Sequence, residues 1–149
     1  MSEIVDILIE ILDDINANTG ITSSSLITED GLVIAFSNSQ EEIDDEFNTN
    51  FAAISASILS MAERGIEIIN ANKMLEQIKI DSIKDRNIEA DFTILITRVV
   101  SNVLLQVIFP KTINIGLIHF EINKHVNKIK NIIQKDTNRT LFSSLGSLT

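Results

Sequence analysis

The chain has 149 residues, of which 44% are hydrophobic and 22% are charged, a composition typical of one globular domain and not of a disordered or fibrous chain. It contains no cysteine, which excludes disulfides and thiolate metal sites. Its apolar runs are shorter than the ~20 residues that cross a bilayer. Because residues 1–17 lack a basic-then-apolar leader, we expect a cytoplasmic protein that does not span a membrane.

The net charge of −9 is distributed unevenly along the chain. Residues 1–63 hold 13 of the 21 acidic residues and no Lys or Arg, and all 12 basic residues follow from Arg64 onward. A net acidic protein with dispersed basic residues repels phosphate backbones, so we expect no nucleic-acid partner. Two interpretations of the asymmetry stay open: an acidic first helix beside a basic last helix, or an acidic surface that attracts a basic partner.

The first third of the sequence predicts a helix followed by a hairpin. Apolar residues recur with helical spacing over Ser2–Thr19, and Gly20 follows as a C-terminal stop. Ile21–Thr28 and Leu32–Ser37 are strand-like and flank Glu29-Asp30-Gly31. An Asp-Gly pair readily adopts the positive φ angles of a tight turn, so the pattern predicts a β-hairpin.

A long helix is predicted next. Ser39 and Glu42 have capping-box spacing at its start, and it extends to about Ile69. Two apolar stripes follow the helix: Phe47, Phe51, Ile54, Ile58, Met61 and Ile68; and Ala52, Ser55, Leu59, Ala62, Ile66 and Ile69. One face fits the helix's own sheet, and the other predicts a second helix, with close approach allowed by Ala52, Ala53, Ser55, Ala56, Ser57 and Ser60. The alternative is a helix buried at the centre of a monomer.

The last part of the chain predicts three strands and a helix. Leu75–Ile83 alternates in the manner of an edge strand, and a polar loop follows. Phe92–Val100 and Val103–Phe109, joined by a Ser101-Asn102 turn, are apolar on both faces, as central strands are. Ile115–Ile133 has helical spacing, and its solvent-exposed face carries Lys124, Lys128, Lys130 and Lys135.

These elements predict an α/β (α+β sandwich) fold. Their order is α-β-β-α-β-β-β-α, with a five-stranded, mostly antiparallel sheet and helices on both faces. We expect one domain over residues 1–135. Residues 136–149 form a tail that either packs as a flap or stays mobile.

The element order and three motifs resemble the Roadblock (dynein light-chain) family over about residues 4 to 133. Leu26–Ala35 resembles the family's hairpin with its acidic-Asp-Gly turn. Met61-Ala62-Glu63-Arg64 is similar to the end of its Ala-rich long helix, and Asn114–Glu121 to the opening of its last helix. The polar insertion at residues 85–91 departs from the family pattern.

The resemblance implies a fold of the profilin-like Roadblock type and a homodimer, or a heterodimer with a paralogue, in which third strands pair across a twofold axis and the long helices pack together. Family members act with small Ras-like GTPases as activators, scaffolds or recruitment platforms, or serve in motor complexes. The implied dimer interface comprises Phe51, Ile54, Ser55, Ile58, Ile78, Lys79, Ile80 and Asp81. The candidate GTPase-binding residues are positions of the long helix and its start that we expect to be exposed: Asp44, Asp45, Asn48, Ser55 and Arg64.

The sequence lacks patterns of catalysis. It has no Gly-rich phosphate loop, and His119 and His125 are six residues apart without a third ligand at a fitting interval. We therefore expect no enzyme activity, metal or cofactor. Arg64 fits either a guanidinium supplied to a GTPase or a pairing with a nearby acid such as Glu63 or Glu67.

Two other functions are alternatives to a GTPase regulator. A structural adaptor of a larger complex would have no GTPase contact, and a stand-alone enzyme would require motifs that are missing. The abundance of Ile and Asn is typical of an AT-rich genome and hints at a prokaryotic or archaeal host.

Overall fold

The computed structural model describes residues 3–39, 44–82 and 91–136. Their helices and strands follow the predicted order: α1 Glu3–Thr19, β1 Ser23–Thr28, β2 Val33–Asn38, α2 Asp45–Ile69, β3 Gln77–Asp81, β4 Phe92–Val100, β5 Val103–Pro110 and α3 Ile115–Asp136. Glu42, most of the polar insertion and residues 137–149 lie outside the described residues, and so does any structure expected of them. None of the helices in the described ranges is long and apolar enough to cross a bilayer.

The five strands form one sheet in the order β2-β1-β5-β4-β3, and every pairing is antiparallel. The two apolar strands β4 and β5 are interior and are joined through the Ser101-Asn102 turn, as predicted. The half-polar β3 is an edge strand, which is also confirmed. The second edge of the sheet is β2.

Helices cover both faces of the sheet and divide the core into two parts. α1 and α3 pack against one face around Leu8, Leu12, Leu95, Phe109 and Ile118. α2 packs against the other face, where Ala52, Leu59, Ile27, Ile96 and Leu104 form a second cluster. The acidic α1 does lie beside the basic α3, as the first interpretation of the charge asymmetry proposed.

The β1–β2 hairpin has a different turn from the one expected. Gly31 has a φ of +89°, and no residue other than glycine has a positive φ among the described residues, so Asp30 does not share this conformation. The Gly31 N–H donates to Thr28 O at 3.0 Å, and Thr28 N–H donates to Leu32 O at 2.8 Å. This pattern indicates a three-residue loop whose last residue requires a positive φ, and glycine provides it at no steric cost.

The start of α2 also differs from the prediction. Its N-cap is Asp44, whose side chain accepts the Phe47 N–H at 2.9 Å. Ser39 is instead tied to the residues just before β1, because its hydroxyl donates to Ile21 O and Thr22 O. Both residues have capping chemistry, and the tertiary position of Ser39 beside β1 decides between them.

Candidate interaction surface

The inner face of α2 is fixed by small and polar residues. Ala52, Ser55 and Ala56 are buried on the side of α2 that faces the sheet. The Ser55 hydroxyl donates a hydrogen bond to Gln106 Oε1 on the central strand β5. The expectation that these three small residues admit a second helix is therefore wrong. They bring α2 close to its own sheet and to the hairpin, where Gly31 lies against Ala52, Ala53 and Ala56.

The outer face of α2 carries an apolar stripe, hereafter the α2 stripe, in which four residues are exposed and two are half-buried: Phe47, Ile54, Met61 and Ile68; and Phe51 and Ile58. Ile54, Met61 and Ile68 are 55%, 73% and 87% exposed and recur every seven residues. Phe47 and Phe51 stack with ring centroids 5.5 Å apart. A helix at the centre of a monomer would not expose such a row, so that alternative is wrong. Contiguous apolar surface of this kind marks an association site.

The outer edge of β3 lies near α2. Within the described ranges β3 pairs only with β4. Ile78 and Ile80 are half-buried on the α2 side of the sheet, and Lys79 and Asp81 are exposed on the other side with Nζ and Oδ2 3.4 Å apart. An edge strand with unpaired backbone groups is suited to pairing with another strand.

Asp81 is also held by its neighbour on β4. The Thr93 hydroxyl donates to Asp81 Oδ1 at 2.6 Å. This hydrogen bond is the main reason that the pKa of Asp81 is lowered, and the nearby Lys79 adds to the effect. The hydrogen bond therefore stabilises the charged form of this carboxylate.

The candidate GTPase-binding residues do not form one site. Asp44 and Asp45 are exposed at the start of α2, whereas Arg64 lies 19 residues beyond Asp45, or about 29 Å along the helix. Asn48 and Ser55 are only 3% and 1% exposed. Selecting these two residues as exposed contacts was wrong, because both face the sheet side of α2.

Arg64 borders a groove between the hairpin turn and α2. The groove has a volume of about 500 Å³ and is lined by Glu29, Asp30, Ala53, Ala56, Ser57, Ser60, Met61 and Arg64. Within the described ranges Arg64 has no carboxylate within 4 Å, so the expected pairing with Glu63 or Glu67 is absent there. Its guanidinium is exposed and available to a partner.

Arg98 is the structurally important arginine, and it was not among the residues predicted from the sequence. Its side chain is 9% exposed and lies behind the groove. Nη2 donates to Glu63 Oε2 at 3.0 Å, Nε donates to Leu75 O at 2.8 Å, and Nη1 donates to Glu29 Oε1 and to Ser101 O. Its one visible signal was that Arg98 is the single charged residue of β4.

The described residues contain no cluster of three or more His, Cys, Asp or Glu that could hold a metal ion. His125 lies 3.4 Å from Glu121 on the next turn of α3, and Glu121 accepts from Asn18 of α1 at 3.2 Å. These groups join two helices of the core. On the α2 side, the α2 stripe and the open edge of β3 are surfaces suited to association with another chain.

The fold and this surface define a three-layer domain with an antiparallel sheet and one apolar helix face left open. A sequence model of the Roadblock/LC7 domain matches residues 8–109, more than half of the chain. The protein belongs to the Roadblock/LC7 family. A search of curated proteins found no significant match.

Solved structures support the fold assignment. MglB of Myxococcus xanthus superposes with a TM-score of 0.76 at 19% identity, covering 94% of this chain and 97% of that one. The gliding protein MglB of Thermus thermophilus gives 0.75 at 14%, covering 91% and 94%. A Roadblock/LC7 domain from Streptomyces avermitilis gives 0.71 at 13%, covering 85% and 97%. At these identities the likeness is one of fold.

Proposed function

We propose that this protein is a non-catalytic homodimer that binds a small Ras-like GTPase and regulates its nucleotide cycle. The observation that carries the proposal is the exposed α2 stripe on a Roadblock/LC7 domain. The open edge of β3 supports the same dimer, because strand pairing and helix packing are compatible with one twofold axis.

The α2 stripe has the spacing required for packing against a copy of itself. Phe47, Ile54, Met61 and Ile68 are seven residues apart, and Phe51 and Ile58 are interleaved with them. This is the repeat by which two helices interdigitate. Full burial of a large apolar side chain contributes about 1.5–3 kcal/mol. In a twofold dimer the same side chain is buried on both subunits, so each position contributes twice. A dimer is therefore the simplest way to cover the stripe.

The charges of β3 are self-complementary. If two β3 strands pair antiparallel about Ile80, Lys79 of one chain lies opposite the partner's Asp81, and the reverse pair forms across the axis. Each backbone N–H and C=O on the open edge then gains a partner. The lowered pKa of Asp81 favours the charged carboxylate that this pairing uses.

The GTPase contact is inferred from family membership together with the exposed groups of α2. Asp45 and Arg64 lie near opposite ends of the helix, so a partner touching both covers nearly its whole length. In this proposal the paired α2 helices form a platform that orders the GTPase's switch segments without donating catalytic groups. The role of Arg64 is to attract an acidic or phosphate-bearing group at the end of the platform.

The dimer is tested by light scattering on the wild type and on Ile54→Glu. We expect a wild-type mass near twice 16.6 kDa, and a mass near 16.6 kDa for the variant, because a carboxylate cannot be buried unpaired. Phe120→Glu is the matched control, since Phe120 is 65% exposed on α3 and lies outside the α2 stripe. A monomeric wild type would reject the dimer.

GTPase binding is tested with Ras-like GTPases of the same organism, each loaded with GDP or with a non-hydrolysable GTP analogue. We expect one of them to bind preferentially in one nucleotide state and to lose affinity for Arg64→Ala. Equal binding in both states, or no binding, would contradict the proposal. Co-purification with a stable subunit that is not a GTPase would then favour the structural adaptor.

A further inference from the structure

The second sheet edge, β2, also lacks a neighbouring strand among the described residues. The Ser39 N–H donates to Thr22 O at 2.9 Å, so Ser39 and Thr22 form a hydrogen-bonded pair. Two residues earlier on β2, Ser37 lies opposite Ser24 and is the next such pair. Antiparallel pairs alternate between bonded and non-bonded residues, so the backbone N–H and C=O of Phe36 point away from β1. The edge therefore presents hydrogen-bonding groups to an incoming strand.

A groove runs along this edge between two helices. It has a volume of about 290 Å³. Val5 and Ile9 of α1 line one wall, Asp45, Asn48 and Thr49 of α2 line the other, and Val33, Ile34, Ala35 and Phe36 of β2 form the floor. α1 is fixed against β2 because Asn16 Nδ2 donates to Ser37 O at 2.9 Å and the Ser37 hydroxyl donates to Asp13. The groove is a built, largely apolar channel beside an open edge.

Asn48 supplies an unmatched polar group in the groove. Its side chain is 3% exposed, and Nδ2 has no hydrogen-bond acceptor among the described residues. A buried amide without a partner costs about 1–3 kcal/mol, so it is retained where something else supplies the acceptor. A backbone carbonyl of a bound strand is a fitting acceptor at this position.

The charge around the groove selects the occupant. Residues 1–63, which include α1, β2 and the first three quarters of α2, contain no Lys or Arg. Asp45 lines the groove, and Asp13 lies beside it, bonded to Ser37. A second copy of this chain would bring acid against acid across paired β2 edges. The same negative potential attracts a basic segment.

We propose that this groove binds an extended peptide segment of another protein, which adds a strand to β2. The segment has apolar residues at alternate positions for the channel and Lys or Arg at the intervening or flanking positions. Its backbone pairs with Phe36, and one of its carbonyls accepts from Asn48 Nδ2. This is strand addition, in which backbone hydrogen bonds provide affinity and side-chain pockets provide specificity. The site lies outside the α2 stripe and β3, so it does not depend on the proposed dimer, and it shares only Asp45 with the proposed GTPase contact.

The test begins with selection of random twelve-residue peptides displayed on phage, with wild-type protein as bait and Thr49→Lys as counter-selection. Thr49 is exposed and lines the groove, so a lysine there obstructs and repels a basic strand. Ser57→Lys is the matched control, because it adds the same charge to an exposed position of α2 that does not line the groove beside β2. Enriched peptides are synthesised with a fluorescent label, and their affinities are measured by anisotropy.

We expect enriched peptides that alternate apolar residues and carry Lys or Arg. Thr49→Lys weakens them at least about tenfold, Ser57→Lys changes affinity by less than about twofold, and Asn48→Leu weakens it about fivefold. Because Asn48→Leu removes an unsatisfied buried donor, it should not lower stability in the absence of peptide. Bound peptide should slow hydrogen exchange of the Phe36 amide, which a contact elsewhere would not do.

Three outcomes would overturn the inference. The first is that no peptide is enriched against the counter-selection. The second is a consensus rich in Asp and Glu, and the third is binding that leaves exchange at Phe36 unchanged.

Discussion

Replacing Arg98 with methionine tests whether this buried guanidinium holds the α2 side of the molecule together. Arg98 contacts three separate parts of the chain: the hairpin turn through Glu29, the end of α2 through Glu63, and the segment before β3 through Leu75 O. Methionine keeps most of the aliphatic stem and removes the charge and all the donors. The substitution therefore isolates the polar contribution.

The expected loss follows from the exposure of each partner. Side chains of Glu29 and Glu63 are 40% and 22% exposed, so both carboxylates rehydrate when the arginine is removed, and each ion pair contributes at most about 1 kcal/mol. The carbonyls of Leu75 and Ser101 lose charge-assisted bonds worth about 1 kcal/mol each after solvent competition. We expect the free energy of unfolding to fall by about 3 kcal/mol and Tm to fall by about 10 °C.

Urea denaturation at one fixed protein concentration measures this change, because a dimer's stability depends on concentration. Arg64→Met is the matched control: Arg64 is exposed, has no ion pair within the described ranges, and should change stability by less than about 0.5 kcal/mol. Equal stability of the two variants would refute the assigned role of Arg98. A double-mutant cycle with Glu63→Gln should give a coupling of about 1 kcal/mol.

The remaining predictions concern two glycines and one carboxylate. Gly31→Ala should lower the free energy of unfolding by about 1–3 kcal/mol by urea denaturation, because φ is +89° and a Cβ would lie 3.1 Å from Ala53 Cα; an unchanged stability would contradict this. A Cβ added at Gly65 would have nothing within 4 Å. Gly65→Ala should therefore raise the free energy of unfolding by about 0.5–1 kcal/mol when it is made in the monomeric Ile54→Glu variant; a lower free energy of unfolding would count against an open helix face. The carboxyl of Asp81 should titrate by NMR below its ordinary value of 3.8, and Thr93→Val should move the midpoint upward. Because the folded pKa is depressed, the stability that Asp81 contributes is present above the unfolded pKa and is lost as pH falls through the folded pKa; an identical midpoint in both proteins would refute the Thr93 contribution.

Most of the architecture was predictable because it depends on local periodicity. The spacing of Ile4, Leu8, Ile11 and Ile15 requires a helix with one apolar side, and the continuous apolar character of β4 and β5 requires cover on both faces. The two stripes of α2 predicted a helix with two contacts, and the structure confirms that one of them is its own sheet. These features depend on neighbours within a few residues.

Assignment of particular residues to contacts was less successful, because it depends on which face of each element meets which neighbour. As polar residues on a helix, Ser55 and Asn48 are expected to be exposed, yet both lie on the sheet side of α2 at 1% and 3% exposure. Ser39 has capping chemistry, but its position beside β1 leaves the cap to Asp44. Short-range patterns do not distinguish these alternatives.

The sequence by itself determined the order of elements, the family, and the presence of an apolar helix face in excess of what one sheet covers. Only the tertiary structure decided that Arg98 joins Glu29 to Glu63, because those residues are 69 and 35 positions away from it in the chain. It also decided that α1, β2 and α2 enclose an acidic groove beside an open edge. Pairing of distant residues is set by the packing of whole elements around the core, and no local pattern encodes it.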